Sequence, residues 1–235
     1  MDLNDYSPNT NTLTNSNATD SGDVPFGGST ASVNLERDNA HYLYASDSAS
    51  LSITGDITCE AWIKLESLPT GDTQTFTVVS KYHATGDNIS YLFCVRTDAL
   101  GDIQVGASYS DDGSTADDLN VAWTPNTGTW YHVAWVIDVS ESQLTAYVNG
   151  SSIGTDTGSK TSIIDKAANL EIGSFQAGTE SFDGLIDDVR LWDDIRTEGE
   201  ISANYQKKLT GLEANLQAYY PFEPLMGGSF LINFL

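Results

Sequence analysis

The amino-acid sequence predicts an all-β fold, an antiparallel two-sheet jelly-roll sandwich with one short helix on the C-terminal side. Many short segments alternate apolar and polar residues with the period of two that a half-buried strand requires. Clusters of Gly, Asn, Asp, Ser, Thr and Pro separate them, as in LPTGDT, SDDGST, PNTG and VNGS. No long helix-period segments alternate with the strands, which argues against a parallel sheet. Short strands at short spacing read as a sandwich.

In chain order, HYLYA alternates around Tyr42 and Tyr44. ITCEAWIK sets Ile57, Cys59, Ala61 and Ile63 against Thr58, Glu60, Trp62 and Lys64. FTVVSK, SYLFCVR, DIQVGASY, WYHVAWVID, QLTAYVNG, NLEIGS, FDGLIDDVRLW and LQAYYPFE follow. Trp62, Trp135 and Trp192 lie inside such strands and are expected in the core. The helix is predicted within RTEGEISANYQKK. Thr197 and Glu200 have the spacing of a capping box, and Ile201 and Tyr205 fall on one face. Lys207 and Lys208 fall near its C-terminal end, where the dipole favours positive charge.

The chain has 235 residues, a length that all-β sandwiches often fold as one domain. Asp and Glu number 33 against 10 Lys and Arg, a formal net charge of -23. Such a field repels phosphate, so nucleic acid is excluded as a partner, and attraction to anionic membranes with it. No apolar run is long enough to insert into a bilayer. The start, MDLNDYSPNT, does not read as a signal peptide. Cys59 and Cys94 both fall in strands, where buried free thiols are favoured over a disulfide. With no CxxC and three His, zinc is not expected. By composition alone, the polar residues 1–30 read as a disordered arm.

Several strings carry a resemblance. LYASDSASLSITGDITCEAWIKLESLP, GTWYHVAWVIDVSESQLTAYVNGSSIGT and FDGLIDDVRLWDDIRTEGEI are similar, in order and spacing, to the opening, central hairpin and late strand of laminin-G-like jelly-roll domains. Those domains belong to the concanavalin-A-like lectin and glucanase superfamily. DLNDYSPNTNTLTNSN resembles the Asp-x-Ser-x-Asn stretch that follows the family's first strand, and LQAYYPFE resembles that strand itself. The resemblance implies that residues 1–223 form one domain with the N-terminal stretch integral to it. Residues 224–235 would be a tail, whose apolar FLINFL suggests self-association. It also implies that LQAYYPFE completes the sandwich, either within its own chain or by donation to a neighbour. Higher effective concentration favours the first route.

The resemblance implies a calcium site as well. The matching late-strand carboxylate is Asp187. Turns near Asp38 and Asp56 are a looser match for the remaining oxygens. Adjacent Asp pairs such as Asp187 and Asp188 are expected on opposite faces of a strand. The acidic stretch SDDGSTADDLN reads as a solvated turn. For ligand stacking, Trp123, Tyr82 and Tyr109 border loops and offer flat apolar platforms. The Glu-rich strand that superfamily glucanases use is missing, so no enzyme is predicted. The leading expectation is a binding or adhesion module for glycans or surface proteins, calcium-assisted, extracellular or at a cell surface within a larger protein. A structural decoration subunit of a virion or surface assembly is the alternative. A carbohydrate-active enzyme comes third.

Overall fold

The computed structural model describes residues 1–83 and 86–223. The C-terminal stretch containing FLINFL lies outside the described residues. The elements are β1 (Thr14–Ser16), β2 (Thr19–Ser21), β3 (Ser32–Leu35), a 3-10 turn (Arg37–Asn39), β4 (Tyr42–Ala45), β5 (Ile57–Leu65), β6 (Thr75–His83), β7 (Asn88–Thr97) and β8 (Ile103–Tyr109). They continue with β9 (Asp117–Ala122), β10 (Trp130–Asp138), β11 (Gln143–Val148), β12 (Ser151–Thr157), β13 (Leu170–Ile172), β14 (Gly184–Trp192), α1 (Glu198–Asn204) and β15 (Leu216–Tyr220). Two antiparallel sheets result. One has the order β1-β4-β13-β6-β7-β8-β9, the other β12-β11-β10-β5-β14-β3-β2, with β15 also paired to β14.

Alternation builds the core between them. Ile57, Cys59, Ala61 and Ile63 of β5 face Phe76, Tyr91, Phe93, Val95, Val105 and Ala107 of the opposite sheet in one buried cluster. Trp135 lies there with 0 % exposure, and its indole donates to the Cys94 carbonyl at 3.3 Å. Both cysteines are buried and free. Burying each of the Ile, Val and Phe side chains among these is worth about 1.5–3 kcal/mol.

The outer face of the β5–β14 region is also covered. Thr58, Glu60 and Trp62 are buried under α1 and the chain that follows it. Trp62 packs against Tyr205, His132 and Phe26, and its indole donates to the Tyr205 carbonyl at 2.8 Å. Trp192 donates to Glu60 at 2.8 Å. All three predicted core tryptophans are thus buried, two of them on this second face. Helix α1 starts at the expected capping box, with Thr197 and Glu200 bonded reciprocally. It ends at Asn204, so Lys207 and Lys208 lie beyond it.

Residues 1–30 are integral. Asp5 accepts from the amides of Ser7, Asn11 and Tyr219, and from the Ser7 hydroxyl and Asn11 side chain. The Asp2 amide reaches the Glu223 carbonyl at 2.6 Å and Tyr6 reaches Tyr219 at 2.9 Å. Segment 216–220 pairs with β14 of its own chain, which is the intramolecular route. One edge of β14 is shared, with β3 along Gly184–Ile186 and β15 along Val189–Trp192.

Five strands escape the alternation reading. β1, β2, β3 and β12 are short or uniformly polar, so period two leaves no contrast. β9 falls within the stretch expected to be a solvated acidic turn. Residues 111–116 do turn there, but Asp117–Ala122 pair with β8 while Leu119 and Val121 enter the core.

Candidate functional site

The outer face of the seven-stranded sheet carries the most developed surface feature. Strand β7 points Tyr91, Phe93 and Val95 inward, which sends Leu92 and Arg96 outward. Neighbouring β8 presents Gln104, Gly106 and Ser108 on that face, and β9 presents Asp118 and Asn120. The Arg96 side chain runs diagonally across Gly106. A Cβ there would stand 2.5 Å from the Arg96 Nε, so only glycine leaves room.

The guanidinium is fully engaged. Nε donates to Asn120 Oδ1 at 2.5 Å. One terminal nitrogen donates to Ser108 Oγ at 3.0 Å and Asp118 Oδ1 at 3.1 Å. The other donates to the carbonyls of Ala107 at 3.0 Å and Leu119 at 3.1 Å. These five bonds use the five N–H groups an arginine has. Ser108 also donates to Asp118 Oδ1 at 2.5 Å. Arg96 is 12 % exposed and Asp118 is 64 % exposed. The arginine is therefore a fixed floor that holds the outer carboxylate and amide in place.

Two adjoining depressions open over this floor, of about 150 and about 310 Å³, sharing Thr75, Arg96 and Asp118. Tyr82 and Phe175 wall one end, edge to face at 5.2 Å between ring centres. Glu180 and Asp98 stand on the rim. Burial, then the Asp118 carboxylate, pushes the Tyr82 phenol up from its ordinary value, so it stays a neutral hydroxyl donor. The trough crosses β6 to β9, three inter-strand spacings, or about 14 Å.

Of the three predicted platforms, Tyr82 lies in this trough. Trp123 is half-buried in a separate cleft of about 520 Å³ at the end of the sandwich, with Leu68, Ile103, Pro125 and Ile153. Its ring meets Tyr131 edge to face at 5.1 Å. Tyr109 is a correction. It is fully buried and donates to the Lys160 carbonyl at 2.7 Å, because period two puts it on the inner face of β8. The signal for the trough was Gly106 in DIQVGASY, since an isolated glycine in a strand marks a close approach.

The calcium set does not assemble. Asp38, in the 3-10 turn, follows Leu35, which pairs with Gly184 at the start of β14. Asp56 precedes β5 where Thr58 pairs with Trp192, the last residue of β14. The two turns therefore sit at opposite ends of a nine-residue strand, ~26 Å long. Asp56 is occupied, accepting from the Val139 amide at 3.0 Å. Asp187 is fully buried, accepting from Ser29 Oγ at 2.6 Å and the Asp188 amide at 2.7 Å. Burial pushes its carboxyl up to about 8. Among the described residues no three His, Cys, Asp or Glu side chains are grouped to hold a metal ion. The residues present do not fit calcium at Asp187.

A bulge also overturns the expected alternation there. Asp187 pairs with Trp62 and Arg190 with Glu60, so two β14 residues oppose one on β5. Ile186, Val189 and Leu191 face the core. Asp187 and Asp188 consequently share the outer face, with Asp188 at φ 52°. Asp188 pairs with buried Arg190, which also approaches Glu60 at 3.6 Å and donates to the Lys207 carbonyl at 2.6 Å.

The sequence model of the concanavalin A-like lectin/glucanases superfamily matches residues 37–202. The chain belongs to this superfamily. No curated protein matches the chain. Solved structures share the fold at low identity. A candidate carbohydrate-binding protein from Bacteroides ovatus aligns with 21 % identity and a TM-score of 0.60, over 81 % of this chain and 50 % of the other. This chain thus spans half the length of that protein. Domain 4 of a GH43 extracellular arabinanase from Geobacillus stearothermophilus, solved with arabinotriose, aligns with 17 % identity and a TM-score of 0.61, over 86 % and 96 %. The enzymatically active domain of tailspike protein 2 from bacteriophage CBA120 aligns with 17 % identity and a TM-score of 0.61, over 94 % and 33 %. The binding domain of Paraclostridial Mosquitocidal Protein 1 also aligns, with 14 % identity and a TM-score of 0.61, over 83 % of this chain and 47 % of the other.

Proposed function

We propose that the chain is a non-catalytic glycan-binding module whose binding face is the trough over Arg96. The observation that carries this reading is the union of an aromatic wall, Tyr82 with Phe175, and a floor of polar groups fixed before any ligand arrives. Sugars need that pairing of flat apolar contact and oriented hydrogen-bond partners. Pre-positioned groups spare the ligand the cost of ordering them. The carbohydrate association of the Bacteroides ovatus protein and of the arabinanase domain supports the same reading. The acids with raised carboxyls on β14, Asp187 and Asp188, are buried on the other sheet, away from the trough, which suits binding better than hydrolysis. The module acts outside the cell, at a surface or on a virion, as part of a larger protein.

Isothermal titration with arabinotriose and a panel of oligosaccharides tests this. Tyr82→Ala should weaken binding about tenfold or more, the loss of one stacking contact and one hydroxyl. It should leave the fold intact, because Tyr82 sits on the outer face. Binding that survives Tyr82→Ala but is lost in Trp123→Ala would move the site to the cleft at the sandwich end. Saccharide turnover would overturn the non-catalytic reading.

A further inference from the structure

Resting on the glycan-binding reading of the trough, we infer that its ligand is a glycan free of carboxylate, sulfate and phosphate groups, held by direct hydrogen bonds without calcium. Among the described residues the trough is lined by one cationic side chain, Arg96, and that one is spent. All five N–H groups of Arg96 already have partners within the sheet. An anionic group could claim the guanidinium only by displacing Asn120, Asp118 or a strand carbonyl. Leaving such a buried or half-buried acceptor unpaired costs about 1–3 kcal/mol.

What the trough does offer is acceptors. Asp118 uses Oδ1 for Arg96 and Ser108, while its side chain remains 64 % exposed. Glu180 is an exposed residue that accepts from the Thr75 amide with Oε2 at 3.1 Å. Asp98 stands at the other end. Arg96 offsets one of these three carboxylates, so the ligand space keeps a net negative charge, on a chain whose formal net charge is -23. A ligand anion would meet repulsion both locally and at long range. Sugar hydroxyls, by contrast, donate to carboxylates in charge-assisted bonds, roughly twice as strong as neutral ones. Calcium has no role in this scheme, since the acceptors meet the hydroxyls directly.

Binding should be measured with arabinotriose and cellotetraose as neutral probes and with trigalacturonic acid and 3′-sialyllactose as anionic ones. Each is run in calcium and in EDTA, at low and high salt. The neutral probes should bind with the same affinity in calcium and EDTA, and salt should not matter, since no ion pair forms. The anionic probes should bind at least about tenfold more weakly, a gap that narrows as salt screens the repulsion. Asp118→Asn should weaken neutral binding about tenfold through loss of one charge-assisted acceptor. Glu180→Gln, in an exposed loop where folding is not at stake, should weaken it less. Preference for the anionic probes, or loss of binding in EDTA, overturns the inference while leaving glycan binding in place. Failure of every glycan, with or without capture of oligolysine, overturns the glycan-binding reading and this inference together.

Discussion

Asp187 shows how one buried side chain shapes the pH response. Its carboxyl is raised by desolvation first, and the bonds from Ser29 and the Asp188 amide only partly offset that. The folded chain therefore holds a proton that the unfolded chain releases near pH 4. Stability from this group is greatest in acid, falls as pH rises from about 4 to about 8, and is flat above that, a total on the order of a few kcal/mol. Asn mimics the neutral acid, accepting from Asp188 and donating to Ser29. Asp187→Asn should thus melt higher than wild type at pH 8 and converge with it near pH 4. Parallel melting curves across that range would refute the assignment. A second residue-scale prediction concerns Gly106. Its φ is not in the left-handed region, so alanine is conformationally allowed there. The nearest obstacles are atoms of the Arg96 side chain. Gly106→Ala should displace the guanidinium, free Asp118 and Asn120, and abolish glycan binding, with circular dichroism unchanged. Undiminished binding would mean that the Arg96 floor is not part of the site.

Elements differ in how openly the sequence announces them. Strands β5, β7, β8 and β10 were legible because each buries one face in the central core, which imposes period two. Helix α1 was legible through local chemistry, the Thr197–Glu200 box. Thr197→Ala should cost about 1 kcal/mol, a fall in melting temperature of about 2–4 °C for a chain of this size. A larger loss would show that the cap also holds the helix over Trp62. The bulge in β14 was not legible. It arises from a two-against-one register between Asp187–Arg190 and Trp62–Glu60, a relation between strands distant in sequence. The trough was hidden for the same reason. Arg96, Asp118 and Asn120 come from two strands, and each looks like an ordinary polar strand residue alone; the isolated Gly106 between them is the one local mark of the close approach. Of the trough's side chains, Tyr82 stands out in the sequence as an aromatic bordering a loop, whereas the inward turn of Tyr109 depends on a strand phase that its position beside a loop obscures.

At the scale of the whole molecule, the N-terminal residues and the segment 216–223 meet. The resemblance of LQAYYPFE to a first strand and of DLNDYSPN to the loop after it indicated that these stretches belong side by side. The structure joins them through Asp2 to Glu223, Tyr6 to Tyr219, and the Asp5 carboxylate to the Tyr219 amide. Strand β15 fills the part of the β14 edge that β3 leaves open, and Ala218, Tyr220 and Phe222 enter the main core. Removing 216–223 would expose that edge and those side chains, so the truncated chain should not fold. Covalent order, however, should not matter, because compact domains with adjoining ends tolerate permutation. Joining Glu223 to Met1 through a short glycine linker, and opening the chain in the exposed turn at Ala99–Leu100, keeps every pairing described here. The linker forfeits only the surface pair between the Met1 amine and Asp20, worth little. This permutant should be soluble and monomeric, melt cooperatively within a few degrees of the parent, and retain near-ultraviolet dichroism from Trp135 and Trp192. A permutant that expresses only as aggregate, while the parent folds, would show that the terminal contacts form too late to be moved, and that the chain must begin at the Asp5 loop to assemble.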